Sequence, residues 1–342
     1  MRTNINIIQS TIEHCLSRFP CKIEVRYDEP MKEHTTFKVG GPADCWIQGG
    51  EDNFPSFCAL FLNCARMEKI PVFILGGGAN IVVSDRGIRG VVLDTGAWKS
   101  SQKFEKNRTE IVFRSGTTID DASVAALDAG LSGLEFLAGM PGTIGGAVWM
   151  NARCYGREIS DVLSWTEVLV NDECAVGTKD AGTLVQVTRP KESKKYLIKK
   201  IYTNKITGFR YKQSPFQMMD CLILSAAFNL KKGDKDKIAE DMEKNRQDRK
   251  NKGHYLFPCA GSVFKNNHEF GKPAGVIIDE LGLKGLKKGG AQAAHFHGNI
   301  IINTGDAKAE DIRHLTDEIA SKVKEKTGFI LEPEILFIGE WS

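Results

Sequence analysis

The sequence predicts an α+β protein, and three observations carry that expectation. Segments with helical and strand periodicity follow one another irregularly, not as a regular βαβ alternation. At 342 residues the chain is long enough for two or three domains. The glycine run at 76–78 follows a strand-like segment and leads into more strands, so it does not fit the G-x-G-x-x-G strand-to-helix turn of a doubly wound dinucleotide fold.

Residues 4–18 read as a short helix and 23–27 as a strand. In 56–68, Phe57, Leu60, Phe61 and Cys64 recur at i, i+3, i+4 and i+7, the spacing of one helix face. Apolar runs at 72–75, 81–83 and 91–93 read as buried strands. A second block begins near Ala97. It has a helix at 118–129 with Gly130 placed to cap it, a fixed glycine-rich loop at 138–147, and strands at 162–170, 185–187, 197–202 and 222–230. A third block begins near Lys231. Its helices fall at 236–250, 273–281 and 307–327, and its strands at 299–303 and 330–338. The last helix carries Ile312, Leu315, Ile319 and Val323 on one face and ends at Gly328. There is no internal repeat and no low-complexity linker.

The bulk numbers exclude several classes. An apolar content of 42% with 26% charged residues is that of a globular protein. A formal net charge of +3 is too small to argue for nucleic acid or an anionic membrane. Lys191, Lys194, Lys195, Lys199, Lys200 and Lys205 crowd one segment, which reads as a solvated strand face. No stretch approaches the ~20 apolar residues of a membrane span. The first 20 residues lack the apolar core of a signal peptide. Nine scattered cysteines with no C-x-x-C pair disfavour a disulfide scaffold or a thiolate metal site, so a cytoplasmic setting is expected. No obligate protein partner is implied.

Two glycine clusters stand out as candidate ligand loops. Gly76, Gly77 and Gly78, followed by Ala79 and Asn80, would let backbone N–H groups approach a phosphate without Cβ obstruction. A tight strand-to-strand turn is the alternative. Gly139, Pro141, Gly142, Thr143, Gly145 and Gly146 form the second cluster. Two separated loops of this kind suit a long dinucleotide such as FAD better than a mononucleotide. Ser262 does not sit in a G-x-S-x-G elbow, because positions 260 and 264 are Ala and Phe. Glu332 and Glu334 would share a strand face. His295 and His297 would too, but no third ligand is evident, so no metal is expected.

Taken in order, these segments resemble the UDP-N-acetylenolpyruvoylglucosamine reductase family. The matching pieces include 34–41, the triple glycine, 133–143, 150–152, Tyr155-Gly156, 211–216, 260–266, 289–303 and 331–339. The resemblance implies a two-part FAD-binding region of the vanillyl-alcohol oxidase type plus a C-terminal α+β substrate-binding domain. The implied divisions are 1–97 with a return strand in 331–342, then 98–230, then 231–330. It also implies NADPH as co-substrate and a UDP-sugar as the small molecule reduced. FAD would be held by Gly76, Gly77, Gly78, Asn80, Gly139, Pro141, Gly142, Thr143, Gly145 and Gly146.

The family's catalytic trio would fall on Lys212, Ser262 and Glu334. Ser262 would donate a proton, Glu334 would supply a carboxylate, and Lys212 stands where the family usually has arginine. Lysine keeps the charge and loses the planar fork. Arg210 lies two residues earlier and would share its face in an extended segment, so the electrophile is Lys212 or Arg210. Tyr155, Arg210 and Tyr211 fall in substrate-facing segments. Lys252 and Asn266 would lie near the diphosphate and His297 near the sugar or base. Arg153 and Cys154 depart from a family pattern of Asn-Ala-Gly-Ala-Tyr-Gly. Another flavoprotein oxidoreductase of the same superfamily, or a module with degraded catalysis, are the competing readings.

Overall fold

The computed structural model describes residues 4–99, 103–105, 109–171, 187–188 and 196–341. The first region pairs two helices with a four-stranded sheet. Helix α1 (Ile5–Arg18) starts at Asn4, whose side chain accepts the Asn6 N–H. Its buried face is Ile8, Ile12 and Cys15. Helix α2 (Phe54–Met67) buries Phe57 and Phe61, whose rings stack 5.8 Å apart. The sheet order is Ile23–Pro30, Pro42–Gly49, Ile88–Asp94, Val72–Leu75. The first pair is antiparallel and the other two pairs are parallel. The core around α1 and α2 also takes in Leu169, Tyr196, Leu222 and Leu224 of the next sheet, which welds the two regions together.

Strand Pro42–Gly49 was not anticipated. Pro42, Asp44 and Gly49 are weak strand formers, and the segment is a strand because it is flanked on both sides and almost wholly buried. Strand Glu110–Arg114 escaped notice too.

The second region is a six-stranded antiparallel sheet. Its order is Val187–Thr188, Tyr196–Tyr202, Leu163–Asn171, Cys221–Asn229, Glu110–Arg114, Lys103–Glu105. Residues 185–186 and Lys191, Lys194 and Lys195 lie outside the described residues. Lys199 is buried and the half-buried Lys200 holds its ammonium 3.5 Å from the Trp165 ring centre, so this part of the segment is not the simple solvated face expected. Helix α3 (Ile119–Asp128) is capped by Thr118, whose hydroxyl accepts the Asp121 N–H, and Gly130 turns left-handed after it at φ 66°.

The glycine stretch at 138–147 is not a loop throughout. It becomes helix α4 (Ile144–Trp149), with Thr143 as its cap. Gly145 and Gly146 conceal a helix because glycine is a poor helix former. The reason for glycine is steric: a Cβ on Gly145 would stand 2.8 Å from the Ser115 Cβ.

In the third region, α5 (Lys235–Asn251) is capped by Asp234, which accepts two N–H groups. Helices α6 (Ala274–Glu280) and α7 (Ala309–Thr327) accompany a small sheet of Lys287–Lys288, Ala291–Ala293 and Ile301–Asn303. The stripe Ile312, Leu315, Ile319 and Val323 is buried, and Gly328 closes the helix at φ 77°. The expected strand at 330–338 is laddered only at Leu336–Ile338, which pairs in parallel with Ile81–Val83. Pro333 has no N–H to donate, and it makes only an isolated bridge to Phe264. That irregular run, between a bridge and a ladder, is where Glu334 sits. No helix among the described residues is long and apolar enough to cross a membrane.

Candidate active site

A cavity of about 790 Å³ runs between the two glycine loops, the C-terminal end of α5 and the segment 259–266. The two loops meet each other directly. A Cβ on Gly77 would stand 2.6 Å from the Gly142 Cα, and one on Gly76 would stand 2.8 Å from the Thr143 Oγ1. Glycine is therefore required for the loops to close into one wall, and that wall presents almost no side chain to a ligand. Gly76, Gly77, Gly78, Asn80, Pro141, Gly142, Thr143, Gly145 and Gly146 all line it. A long, side-chain-poor wall beside polar groups fits a dinucleotide such as FAD. Gly139 is the exception. It lies on an adjoining groove of about 560 Å³, where the Tyr255 hydroxyl donates to its carbonyl at 2.7 Å.

Lys212, Ser262 and Glu334 come together on this cavity from three distant stretches of chain. The Lys212 Nζ lies 2.6 Å from the Glu334 Oε1, and both side chains are largely buried. Two backbone bonds and one from a side chain hold Glu334 and its neighbours. Its N–H donates to the Val263 carbonyl at 2.7 Å, its carbonyl accepts from the Asn80 side chain at 3.1 Å, and the Val263 N–H donates to the Asn299 carbonyl at 2.8 Å. Ser262 bridges to Ile300, so the serine rides on a fixed strand-like segment.

The tight turn at 210–213 places Arg210 and Lys212 differently. Arg210 and Gln213 exchange backbone hydrogen bonds, and Lys212 takes a left-handed φ of 57°. The alternation assumed for an extended segment is thereby broken. Lys212 turns into the cavity, whereas Arg210 is exposed and does not line it. Tyr211 does not line it either, but its hydroxyl accepts the Asn266 N–H at 3.4 Å and its ring faces Arg153.

Tyr155, Lys252, Asn266 and His297 do line the cavity. The Tyr155 hydroxyl donates to Asp248 at 2.8 Å, and Lys252 pairs with the same carboxylate at 2.7 Å. The Lys252 contact, more than that of Tyr155, holds the Asp248 carboxyl below its usual range. Asn266 accepts the Ala274 N–H through its side-chain oxygen at 2.9 Å. His295 and His297 turn to different partners, Gln292 and the Asn299 N–H, and no metal-ligating cluster occurs among the described residues.

Arg249 and His254 also line the cavity and were not anticipated. Arg249 lies three residues before Lys252, on the same helical face, a spacing that could have pointed to it. No local motif marks His254. Burial, then the Arg249 charge, lowers the His254 pKa to about 4, and burial likewise lowers that of His297. The two imidazole rings lie 6.2 Å apart.

Residues 58–176 match an FAD binding domain, and residues 252–338 match the C-terminal domain of UDP-N-acetylenolpyruvoylglucosamine reductase. The chain is 41% identical over 331 residues to the UDP-N-acetylenolpyruvoylglucosamine reductase of Borrelia garinii subsp. bavariensis, covering 95% of this chain and 97% of that one. It is 38% identical over 329 residues to the enzyme of that name from Treponema denticola, covering 93% and 94%. The crystal structure of UDP-N-acetylenolpyruvylglucosamine reductase from Thermus caldophilus superposes with a TM-score of 0.69 at 28% identity, over 93% of this chain and all of that one. By identity over nearly its full length, and by a fold that joins a flavin-binding region to this C-terminal domain, the chain belongs to the UDP-N-acetylenolpyruvoylglucosamine reductase family.

Proposed function

We propose that the cavity reduces UDP-N-acetylglucosamine enolpyruvate to UDP-N-acetylmuramate with electrons from NADPH, and that Lys212, Ser262 and Glu334 carry the chemistry. The supporting observation is the Lys212–Glu334 ion pair at 2.6 Å on the same cavity as Ser262 and the glycine wall. Bound FAD, held along Gly76–Gly78, Asn80 and 141–146, supplies hydride transfer between two substrates that need not bind together.

The residues of the chain then have separate tasks. Reduction of the enolpyruvyl double bond adds hydride to the methylene carbon, and negative charge builds on the neighbouring carbon and its carboxylate. The Lys212 ammonium, itself largely buried, stabilises that charge. Glu334, within hydrogen-bond reach of the ammonium, orients it. Ser262 gives its hydroxyl proton to the carbanion, which completes addition of two hydrogens across the double bond. Lys252, Asn266, His297 and Tyr155 form the part of the wall suited to the sugar nucleotide. A small-molecule substrate, a nicotinamide donor and free thiols support a cytoplasmic setting.

The test is the product. NADPH consumption that requires the enolpyruvyl sugar nucleotide, with a product heavier by two hydrogens, supports this function. NADPH oxidation at the same rate with oxygen alone would favour an oxidase of the same superfamily.

A further inference from the structure

Arg249 is an unusual occupant of the cavity wall. Only 9% of the residue is exposed. Its Nε–H has no partner, and its Nη1 donates to the Cys154 sulfur at 3.5 Å. Among the described residues it has no carboxylate partner. A buried guanidinium in that condition is a receptor for an anion, because a buried charge with an unmet donor is costly unless a ligand completes it. The ligands proposed for the cavity carry phosphate and carboxylate oxyanions.

Cys154 is equally particular. It stands where the family pattern has alanine, and it lines the cavity at intermediate exposure. Cys221 and Cys259 also line the cavity, and the other described cysteines differ from Cys154 in burial or hydrogen bonding. Cys15, Cys45, Cys58 and Cys259 are buried. Burial also raises the pKa of Cys21 and Cys64, and Cys221 donates to the Phe216 carbonyl. Reactive cysteines occur where a cation adjoins a partly exposed sulfur, since the thiolate is the nucleophile.

We propose that Cys154 is a modification site for soft electrophiles inside the substrate cavity, and that an oxyanion bound to Arg249 closes it. This rests on the reading of the cavity as the substrate site. With iodoacetamide as the electrophile, Cys154 gives its proton to solvent, its sulfur displaces iodide from the methylene carbon, and a carbamidomethyl thioether remains. The adduct lies against Arg249 and blocks the oxyanion from the guanidinium.

The experiment is limited alkylation of the flavin-loaded protein with iodoacetamide, read by peptide mass mapping at every cysteine. Cys154 is expected to label at least tenfold faster than Cys21, Cys64 or Cys221, the other partly exposed thiols among the described residues. Inorganic pyrophosphate, offered to the same protein, is expected to slow Cys154 and leave Cys21 unchanged. UDP is expected to do the same at lower concentration. Arg249→Met is expected to slow Cys154 about tenfold. Labelling of Cys154 no faster than Cys21, or a rate indifferent to pyrophosphate, would overturn the proposal, and both readouts need only the unmutated protein. If pyrophosphate protects and UDP does not, the thiol proposal stands and the sugar-nucleotide reading of this cavity fails.

Discussion

The side-chain amide of Asn80 donates to the backbone carbonyl of Glu334 at 3.1 Å, across 254 residues of sequence. Asn80 closes the first glycine loop, and Glu334 holds the only ion pair made by Lys212 among the described residues. One hydrogen bond thus fixes the carboxylate relative to the wall that suits the flavin. The same joint is reinforced by the parallel pairing of Ile81–Val83 with Leu336–Ile338 directly beyond it. Asn80→Ala is expected to leave a purifiable protein with weakened flavin retention and a reduced rate. Flavin absorbance per protein, read alongside turnover, checks both.

Ser262 is the proton donor of the proposed reaction, and its removal should separate the two half-reactions. Ser262→Ala is expected to purify yellow and to be bleached by NADPH at the normal rate. Its reoxidation by the enolpyruvyl substrate should be slower by roughly a hundred- to thousand-fold, about 2.7–4 kcal/mol of transition-state stabilisation. Stopped-flow absorbance reads each step. Rapid reoxidation would remove Ser262 from the chemistry.

Lys212 and Arg210 make a matched pair of probes, two residues apart on one tight turn. Lys212→Ala removes the cation paired with Glu334 and strands that carboxylate in a largely buried position, so a loss of at least a hundredfold in kcat is expected. Arg210→Ala alters an exposed side chain and is expected to change kcat less than about threefold. Steady-state kinetics with both variants decides the matter, and the reverse order would transfer the role to Arg210.

Gly77 tests the wall itself. In Gly77→Ala the new methyl meets the Gly142 Cα at 2.6 Å, so the two loops must part. The expected result is a colourless or flavin-poor protein that still folds, with melting temperature lowered and no longer raised by added FAD. Differential scanning fluorimetry with and without FAD reads this.

The buried histidines give a pH dependence whose sign follows from their shifts. His254 is held neutral, its pKa lowered from 6.5 to about 4, mainly by burial. The unfolded chain takes up that proton near 6.5 and the folded one does not. Stability is therefore full above about 6.5 and declines as pH falls toward 4. His297, also lowered by burial, adds in the same direction. His254→Gln is expected to flatten the fall in melting temperature between pH 6.5 and 4.5. An unchanged slope would contradict it.

The elements that sequence made legible are those that satisfy their own periodicity. Helix α7 shows its Ile312, Leu315, Ile319 and Val323 stripe without help from the rest of the chain. Strand Pro42–Gly49 does not, because what makes it a strand is its neighbours on both sides. Helix α4 is hidden for a related reason, since Gly145 is there to let the helix approach Ser115. In the site, the glycine loops and most residues expected from a family segment fall on one cavity, while Gly139, Arg210 and Tyr211 do not line it. Arg249 was not legible in the sequence, because a buried charge looks like any other charge in a helix as polar as α5, and no local motif marks His254 beyond the end of that helix. Arg210 does not line the cavity, because a left-handed residue at Lys212 ends the alternation that would have aligned the two side chains.

In the proposed reaction one cavity accepts electrons from NADPH and delivers them to an enolpyruvyl sugar nucleotide. The direct measurement is an anaerobic titration of the flavin-loaded protein followed at the flavin absorbance band. NADPH should bleach the band, UDP-N-acetylglucosamine enolpyruvate should restore it with one equivalent of UDP-N-acetylmuramate formed, and UDP-N-acetylglucosamine should leave it bleached. A band that NADPH bleaches but the enolpyruvyl substrate cannot restore would contradict the account.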